Sequence, residues 1–237
     1  MPMVAERRAR DTPDRDLLTS IVRARNADGD AMSDRQVRDE ALTIFRGHKT
    51  TGTALSWVWY LLSRHPAVER RVLEEIDSTI GERLPTAEDL DHLQFCRMVM
   101  AESMRLFPPA WMIARRAISE HHMGGYRIPV GSAVITSPYV IHRHPGVHPE
   151  PLRFDPDRFA PERHSGWHPF AYFPFGGGQK RCVGDDFATF ETLLLLATVG
   201  RGWKLKLAPD HHVEPAPKAT LKPRDGLHMV LERRASS

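Results

Sequence analysis

The sequence is short of cysteine, of long apolar runs and of charge in blocks, and each shortage removes a class of protein. Two cysteines, Cys96 and Cys182, among 237 residues cannot make the disulfide framework of a small secreted domain. They suit a reducing compartment, so a cytoplasmic location is expected. No apolar run approaches the roughly 20 residues that a membrane span requires, and membrane insertion is not expected. The opening MPMVAERRARD lacks the apolar centre of a signal peptide. Net charge is only +3, with 33 basic residues scattered among 30 acids, so no basic stripe for nucleic acid emerges. Neither an internal repeat nor a low-complexity linker is present. What remains is a chain with 41% apolar residues, enough to bury a sizeable core and to exclude wholesale disorder.

Periodicity predicts a mainly helical chain with small β-sheets. Residues 1–13 are charged and read as a frayed end. Asp14 to Asn26 places Leu17, Leu18, Ile21 and Val22 on one helical face, ended by Asp28-Gly29-Asp30. Ser33, with Gln36 three residues on, forms a capping box for a helix running to about Arg64, roughly 48 Å at 1.5 Å per residue. Its middle, Gly47 to Gly52, is polar and glycine-bearing, a segment where the helical hydrogen-bond ladder can open. Pro66 to Ile80 is amphipathic and stopped by Gly81, and Pro85 to Leu90 reads as a short helical turn. A helix from about Leu93 to Phe107 ends at Pro108-Pro109. Short β-prone pieces follow at Met112 to Ile118, Tyr126 to Ile128 and Ala133 to Thr136, then a short helix at Tyr139 to Arg143. Phe187 to Gly200 is helical and Trp203 to Leu207 a strand. Residues 211–218 read as a loop, and the segments around Asp225-Gly226 as a terminal hairpin. His142, His144 and His148 have no zinc-ligand spacing, and Pro145 and Pro149 interrupt them; exposed histidines beside turns are expected.

The stretch with chemistry in it is Phe173 to Gly184, FPFGGGQKRCVG. Clustered glycines let a backbone turn tightly and approach a flat ligand closely. A cysteine just before a helix start feels the positive end of the helix dipole and the cations Lys180 and Arg181, which favour the metal-binding thiolate. Those features suit an axial ligand to haem iron; a glycine-rich loop around a structural cysteine is the plainer alternative. Phe175, Gly178, Cys182 and Gly184 resemble the haem-binding signature of the cytochrome P-450 haem-thiolate monooxygenases, including a phenylalanine seven residues before the cysteine. The family's usual Arg or His two before the cysteine is here Lys180, a point charge and not a fork for a propionate.

The resemblance implies the C-terminal part of that family's fold: a long central helix, a helix with an ExxR motif, the cysteine loop and a proximal helix. It implies haem b (iron protoporphyrin IX) held by Cys182 as metal ligand, with Phe175, Gly176, Gly178, Gly184, Lys180 and Arg115 around the cofactor and Arg116 as fallback for Arg115. It places residues 110–114 along the pocket. In the long helix, Arg46, Gly47, His48, Lys49, Thr50 and Thr51 align with the family's distal segment. Thr50 falls on the alcohol that helps deliver protons to dioxygen. Lys49 replaces the acid of that relay, and Arg46 replaces a small residue. Glu102 and Arg105, spaced i to i+3, share a helical face. Most such pairs are solvated and contribute less than about 1 kcal/mol. The resemblance adds Arg158, from Pro156-Asp157-Arg158-Phe159, as a third member of a buried structural network.

The match runs from about Asp14 to the C-terminus yet covers only the C-terminal part of the family fold, so a single, N-terminally truncated haem-binding domain over residues 1–237 is expected. Two functions follow. One is a monooxygenase inserting one oxygen atom of dioxygen into an apolar substrate (terpenoid, fatty acid or polyketide), with a ferredoxin or flavin reductase docking near Lys180 and Arg181. The other is a catalytically impaired haem-binding remnant or a non-enzymatic haem or interaction protein, which Lys49 and Arg46 favour.

Overall fold

The computed structural model describes residues 2–9 and 16–234. Within these, the chain divides into two compact units, residues 1–49 and residues 50–237.

The first unit contains helices α1 (Pro2–Ala9) and α2 (Leu17–Arg23) and the first half of α3 (Asp34–Arg64). Residues 2–9 are helical where a frayed end was expected, because Val4 buries its side chain with Val22 and Val37. Arg8 fastens the same helix, donating to the Met32 carbonyl at 2.6 Å and pairing with Asp34 at 3.1 Å. Helix α2 is shorter than the periodicity suggested. Its N-cap is Asp16, whose carboxylate accepts from the Thr19 amide, while Asp14 and Arg15 lie outside the described residues. Helix α3 opens on the expected capping box. The Gln36 amide donates to Ser33 Oγ at 3.3 Å, and Gln36 Oε1 accepts from the Ser33 amide at 2.8 Å. The helix runs unbroken through Gly47 and Gly52, where an opening of the ladder was anticipated.

In the second unit the rest of α3 packs with α4 (Pro66–Ile80), α5 (Gln94–Leu106) and α8 (Asp185–Gly202) around one core. Proline at N1 starts α4 without losing a hydrogen bond, and Gly81 at φ 63° ends it. Its apolar stripe of Val72, Leu73, Ile76 and Ile80 meets Val58 and Leu62 of α3, Val99 of α5 and Leu193, Leu196 and Ala197 of α8. The first turn of α5 has no cap of its own. Glu75 of α4 supplies one, accepting from the amides of Phe95 at 2.7 Å and Cys96 at 2.8 Å. Fully burying a Leu or Ile contributes about 1.5–3 kcal/mol, so this four-helix contact dominates the unit's stability.

Among the described residues the strands form four two-stranded antiparallel sheets. β1 (Ile113–Arg116) pairs with β4 (Ala133–Thr136), and β2 (His121–Met123) with β3 (Tyr126–Ile128). β5 (Trp203–Leu207) does not stand alone, nor do the last two strands pair with each other. β6 (Pro215–Pro217) lies in the stretch expected to be loop and pairs with β7 (Leu221–Pro223). β8 (Met229–Arg233) pairs instead with β5, Leu205 opposite Leu231. The short turn at Lys218, whose amide donates to Ala216 at 3.0 Å, closes β6 on β7 and leaves β8 to satisfy the ladder of β5.

Trp57 of α3 ties the β6–β7 hairpin to the helices. Its ring stacks on Phe107 at 4.1 Å, and its indole N–H donates to the Leu221 carbonyl at 2.9 Å. Trp111 donates likewise to Lys218 at 2.8 Å. The short helices α6 (Pro138–Ile141) and α7 (Pro161–His164) punctuate the irregular stretch between β4 and α8. No helix among the described residues is long and apolar enough to cross a membrane.

Candidate functional site

The cysteine loop is built by its own backbone. The Gly176 amide donates to Phe173 at 3.0 Å, residues 178–180 make one turn of 3₁₀ helix, and the Arg181 amide donates back to Gly178 at 3.0 Å. Cys182 closes the loop, its amide donating to the Phe175 carbonyl at 2.9 Å. Gly176 at φ 76° and Gly178 at φ 68° hold the left-handed conformations that make this path possible. Gly177 is required for space, since a Cβ there would lie 2.7 Å from the ring of Phe170. Gly184 follows as the N-cap of α8, its carbonyl accepting from Ala188 at 2.8 Å. Asp185 begins that helix and pairs with Arg181.

The loop presents Cys182 as a free, exposed thiol beside the N-terminus of the 18-residue helix α8. Cys96, by contrast, is buried in α5, and burial together with the Glu75 carboxylate pushes its thiol well above the usual range. Only Cys182 has the exposure a ligand needs. Arg115 of β1 reaches this loop, donating to the Lys180 carbonyl at 3.4 Å. Lys180 and Arg115 are both exposed; Arg116 donates to the Gly131 carbonyl at 3.3 Å instead.

Phe175 anchors the loop from below, packing on Ala54 of α3 and on Met100 and Met104 of α5. Thr50 precedes Ala54 by one helical turn, so it sits on the stripe of α3 that meets Phe175. Its side chain is exposed, whereas that of Thr51 is buried. Arg46 and Lys49 are exposed residues of α3 in the first unit.

The structure brings Glu102, Arg105 and Arg158 together, all three buried. Arg105 makes a two-pronged contact with the Glu102 carboxylate, 2.6 Å from Nε and 2.9 Å from Nη2. Arg158 approaches the same carboxylate at 3.6 Å, an ion pair longer than a hydrogen bond. The Asp155 amide donates to Glu102 as well, at 2.9 Å. The spare N–H groups go to backbone: Arg105 donates to the carbonyls of His142, Pro151 and Arg153, and Arg158 to those of Pro149 and Glu150.

Two residues expected at the surface prove to be buried parts of this scaffold. His142 and His148 are fully buried, and each holds the segment that leads into the cysteine loop. His142 Nε2 accepts from the Phe173 amide at 2.9 Å, and His148 Nε2 donates to the Ala171 carbonyl at 2.9 Å. Burial lowers the pKa of His142 to about 3 and that of His148 to about 4, so both are neutral near neutral pH. An unbroken path therefore runs from Glu102 through Arg105 and His142 to Phe173. Nothing in the local sequence announces it, since Pro145 and Pro149 suggest an exposed turn. Among the described residues no group of three or more His, Cys, Asp or Glu side chains could hold a metal ion.

Comparison with known proteins places the chain in a family. The family model described as Cytochrome P-450 matches residues 3–230. Cyclooctatin synthase of Streptomyces melanosporofaciens is 38% identical over 98% of this chain and 51% of its own length. Pentalenene oxygenase of Streptomyces avermitilis is 36% identical over 92% of this chain and 49% of its own length. The crystal structure of the cytochrome P450DA heme domain superposes with a TM-score of 0.92 at 30% identity, covering 99% of this chain and 52% of that one. The chain thus spans about half the length of the relatives it matches, and it belongs to the cytochrome P-450 family.

Proposed function

We propose that the Cys182 thiolate would hold a haem b group and that the chain carries the cysteine-loop side of a monooxygenase. The carrying observation is the loop itself: an exposed thiol at the head of α8, fixed by the Cys182 amide on the Phe175 carbonyl. The residues present fit a flat macrocycle. Gly176, Gly177 and Gly178 form a cradle, and at Gly177 a side chain would run into Phe170. The N-terminus of α8 supports the thiolate form. Arg115 and Lys180 are the cations for the propionates. Phe175 holds the loop against α3 and α5, and Glu102, Arg105 and Arg158 keep the preceding segment in register.

Haem so ligated supplies activation of dioxygen and insertion of one oxygen atom into a carbon–hydrogen bond. For its part, the chain would hold the group through Cys182, brace the loop by packing Phe175 on Ala54, Met100 and Met104, and offer the Thr50 hydroxyl for proton movement. Lys49, next to it, cannot accept a proton while charged. The substrate we propose is apolar. Of terpenoid, fatty acid and polyketide, the first is favoured because pentalenene oxygenase is named for a terpene. A ferredoxin or flavin reductase would deliver electrons on the side of Lys180 and Arg181, and the free thiols suit a cytoplasmic setting.

The test is spectroscopic. Protein reconstituted with haem, reduced and exposed to carbon monoxide should show the red-shifted Soret band of thiolate ligation, and Cys182→Ser should abolish that band. A histidine-type spectrum, or one unchanged in Cys182→Ser, would remove the proposal.

A further inference from the structure

A cavity of about 300 Å³ opens in the second unit on α3 and α5, and neither the cysteine loop nor the carboxylate network contributes to its lining. Its walls include the rings of Tyr60, Phe107 and Phe154, and its polar lining comes from Arg64, His65 and Arg143. No carboxylate lines it. Three groups able to carry positive charge thus share one concave site with aromatic walls and without a counter-charge.

Arg143 is the informative member. Its guanidinium lies over the ring of Tyr139 at 3.8 Å and over that of Phe107 at 5.0 Å. Those contacts engage the faces of the group and leave its N–H edges to find acceptors elsewhere. Nη1 is buried and has none. Buried donors are almost always paired, so an orphan on a cation calls for a missing acceptor. Burial also lowers the Arg143 pKa to about 10, as it must for a cation desolvated without an anion. Arg64, exposed at the rim, is not hydrogen-bonded or ion-paired through its side chain among the described residues. His65 is held by its Nδ1 at 2.8 Å from the Leu61 carbonyl and by its ring against Phe154, centroids 4.8 Å apart. Its Nε2 makes no hydrogen bond among the described residues.

We infer that this cavity is a binding site for a small organic carboxylate with an aromatic or branched apolar body. The carboxylate would take the free edge of Arg143 and the head of Arg64, for which a planar guanidinium is well matched. Phe107, Phe154 and Tyr60 would enclose the apolar part, the usual division between walls and polar anchors in ligand sites. The site is separate from Cys182, so its occupancy does not depend on haem.

The probe is 3-phenylpropionate, titrated calorimetrically into the full chain, with 3-phenylpropanamide as the uncharged isostere. The acid should bind and the amide should not. Binding should weaken as salt is raised, be reduced about tenfold or more in Arg143→Leu, and fall less in Arg64→Ala. Arg64 is exposed, so its variant keeps the fold even if Arg143→Leu does not, and circular dichroism checks both. Cys182→Ser should bind like the parent, which separates this site from the haem reading. Absence of binding by the native chain, equal binding of acid and amide, or affinity unchanged in Arg64→Ala would each overturn the inference.

Discussion

Replacing Glu102 by Ala tests whether the Glu102, Arg105 and Arg158 cluster holds the fold or serves the chemistry. The carboxylate is fully buried and, among the described residues, is the anion in contact with both buried guanidinium groups. Removal costs Arg105 two contacts at 2.6 and 2.9 Å, and it costs the Asp155 amide its acceptor at 2.9 Å. Breaking a buried pair from one side costs about 3–5 kcal/mol because an uncompensated charge remains. Arg105 keeps three backbone carbonyls, which moderates that penalty toward its lower end. For a chain of this size each kcal/mol moves the melting midpoint by about 2–4 °C, so a fall of about 6–15 °C is expected. Thermal unfolding followed by circular dichroism measures it, alongside soluble yield and haem retention. Arg158→Ala should cost less than Arg105→Ala, because its ion pair is longer at 3.6 Å and its Nε is already unsatisfied. A Glu102→Ala protein with the parent's melting curve but no turnover would refute the structural assignment.

Acid should expose the buried histidines. Their folded pKa values, about 3 for His142 and about 4 for His148, lie below the unfolded value near 6.5. Their contribution is therefore complete above pH 6.5 and is lost as pH falls toward 4, by up to about 1.4 kcal/mol per pH unit for each. Carboxylates with depressed values, such as Asp157 beside Arg71, release stability only at lower pH, near and below their ordinary value of 3.8. A stability profile flat between pH 6.5 and 4.5, or one unaltered in His148→Gln, would contradict this. At Lys49, restoring an acid with Lys49→Glu should raise dioxygen-supported turnover at unchanged haem content. Turnover equal to that of the parent would show that the missing acid is not what limits the reaction, and peroxide-driven turnover of a fatty acid lost in Lys49→Glu would point instead to capture of a substrate carboxylate.

Much of the helical architecture was legible because local chemistry agrees with the final packing. Pro66 and Gly81 bound α4 as read, and Ser33 with Gln36 starts α3 as read. The cysteine loop was equally legible, since glycines, cations and thiol stand together in sequence. Strand pairing was not. Asp225-Gly226 is a good turn, but whether it closes β7 on β8 depends on which strand has unfilled backbone groups, and β5 claims β8 from some 25 residues away. The histidines failed for a related reason. His142 and His148 are polar residues near prolines, and only the unpaired amide of Phe173 and carbonyl of Ala171 give them a place inside. Residues 2–9 looked too charged to order, yet Val4 packs with Val22 and Val37 and Arg8 ties the helix to Met32 and Asp34.

Helix α3 has one property that distinguishes it from a uniformly packed rod. Phe45, Arg46, Gly47, His48, Lys49 and Thr50 are exposed in succession, more than one and a half turns, so every side of the helix faces outward there. Amide protons along a helix are usually protected most at the centre and least at the ends. Here no side chain from Phe45 to Thr50 is buried and two glycines stand nearby, while residues on both sides of the stretch belong to cores. Deuterium uptake should therefore run opposite to the usual order, fastest around residues 45–50 and slower on both sides.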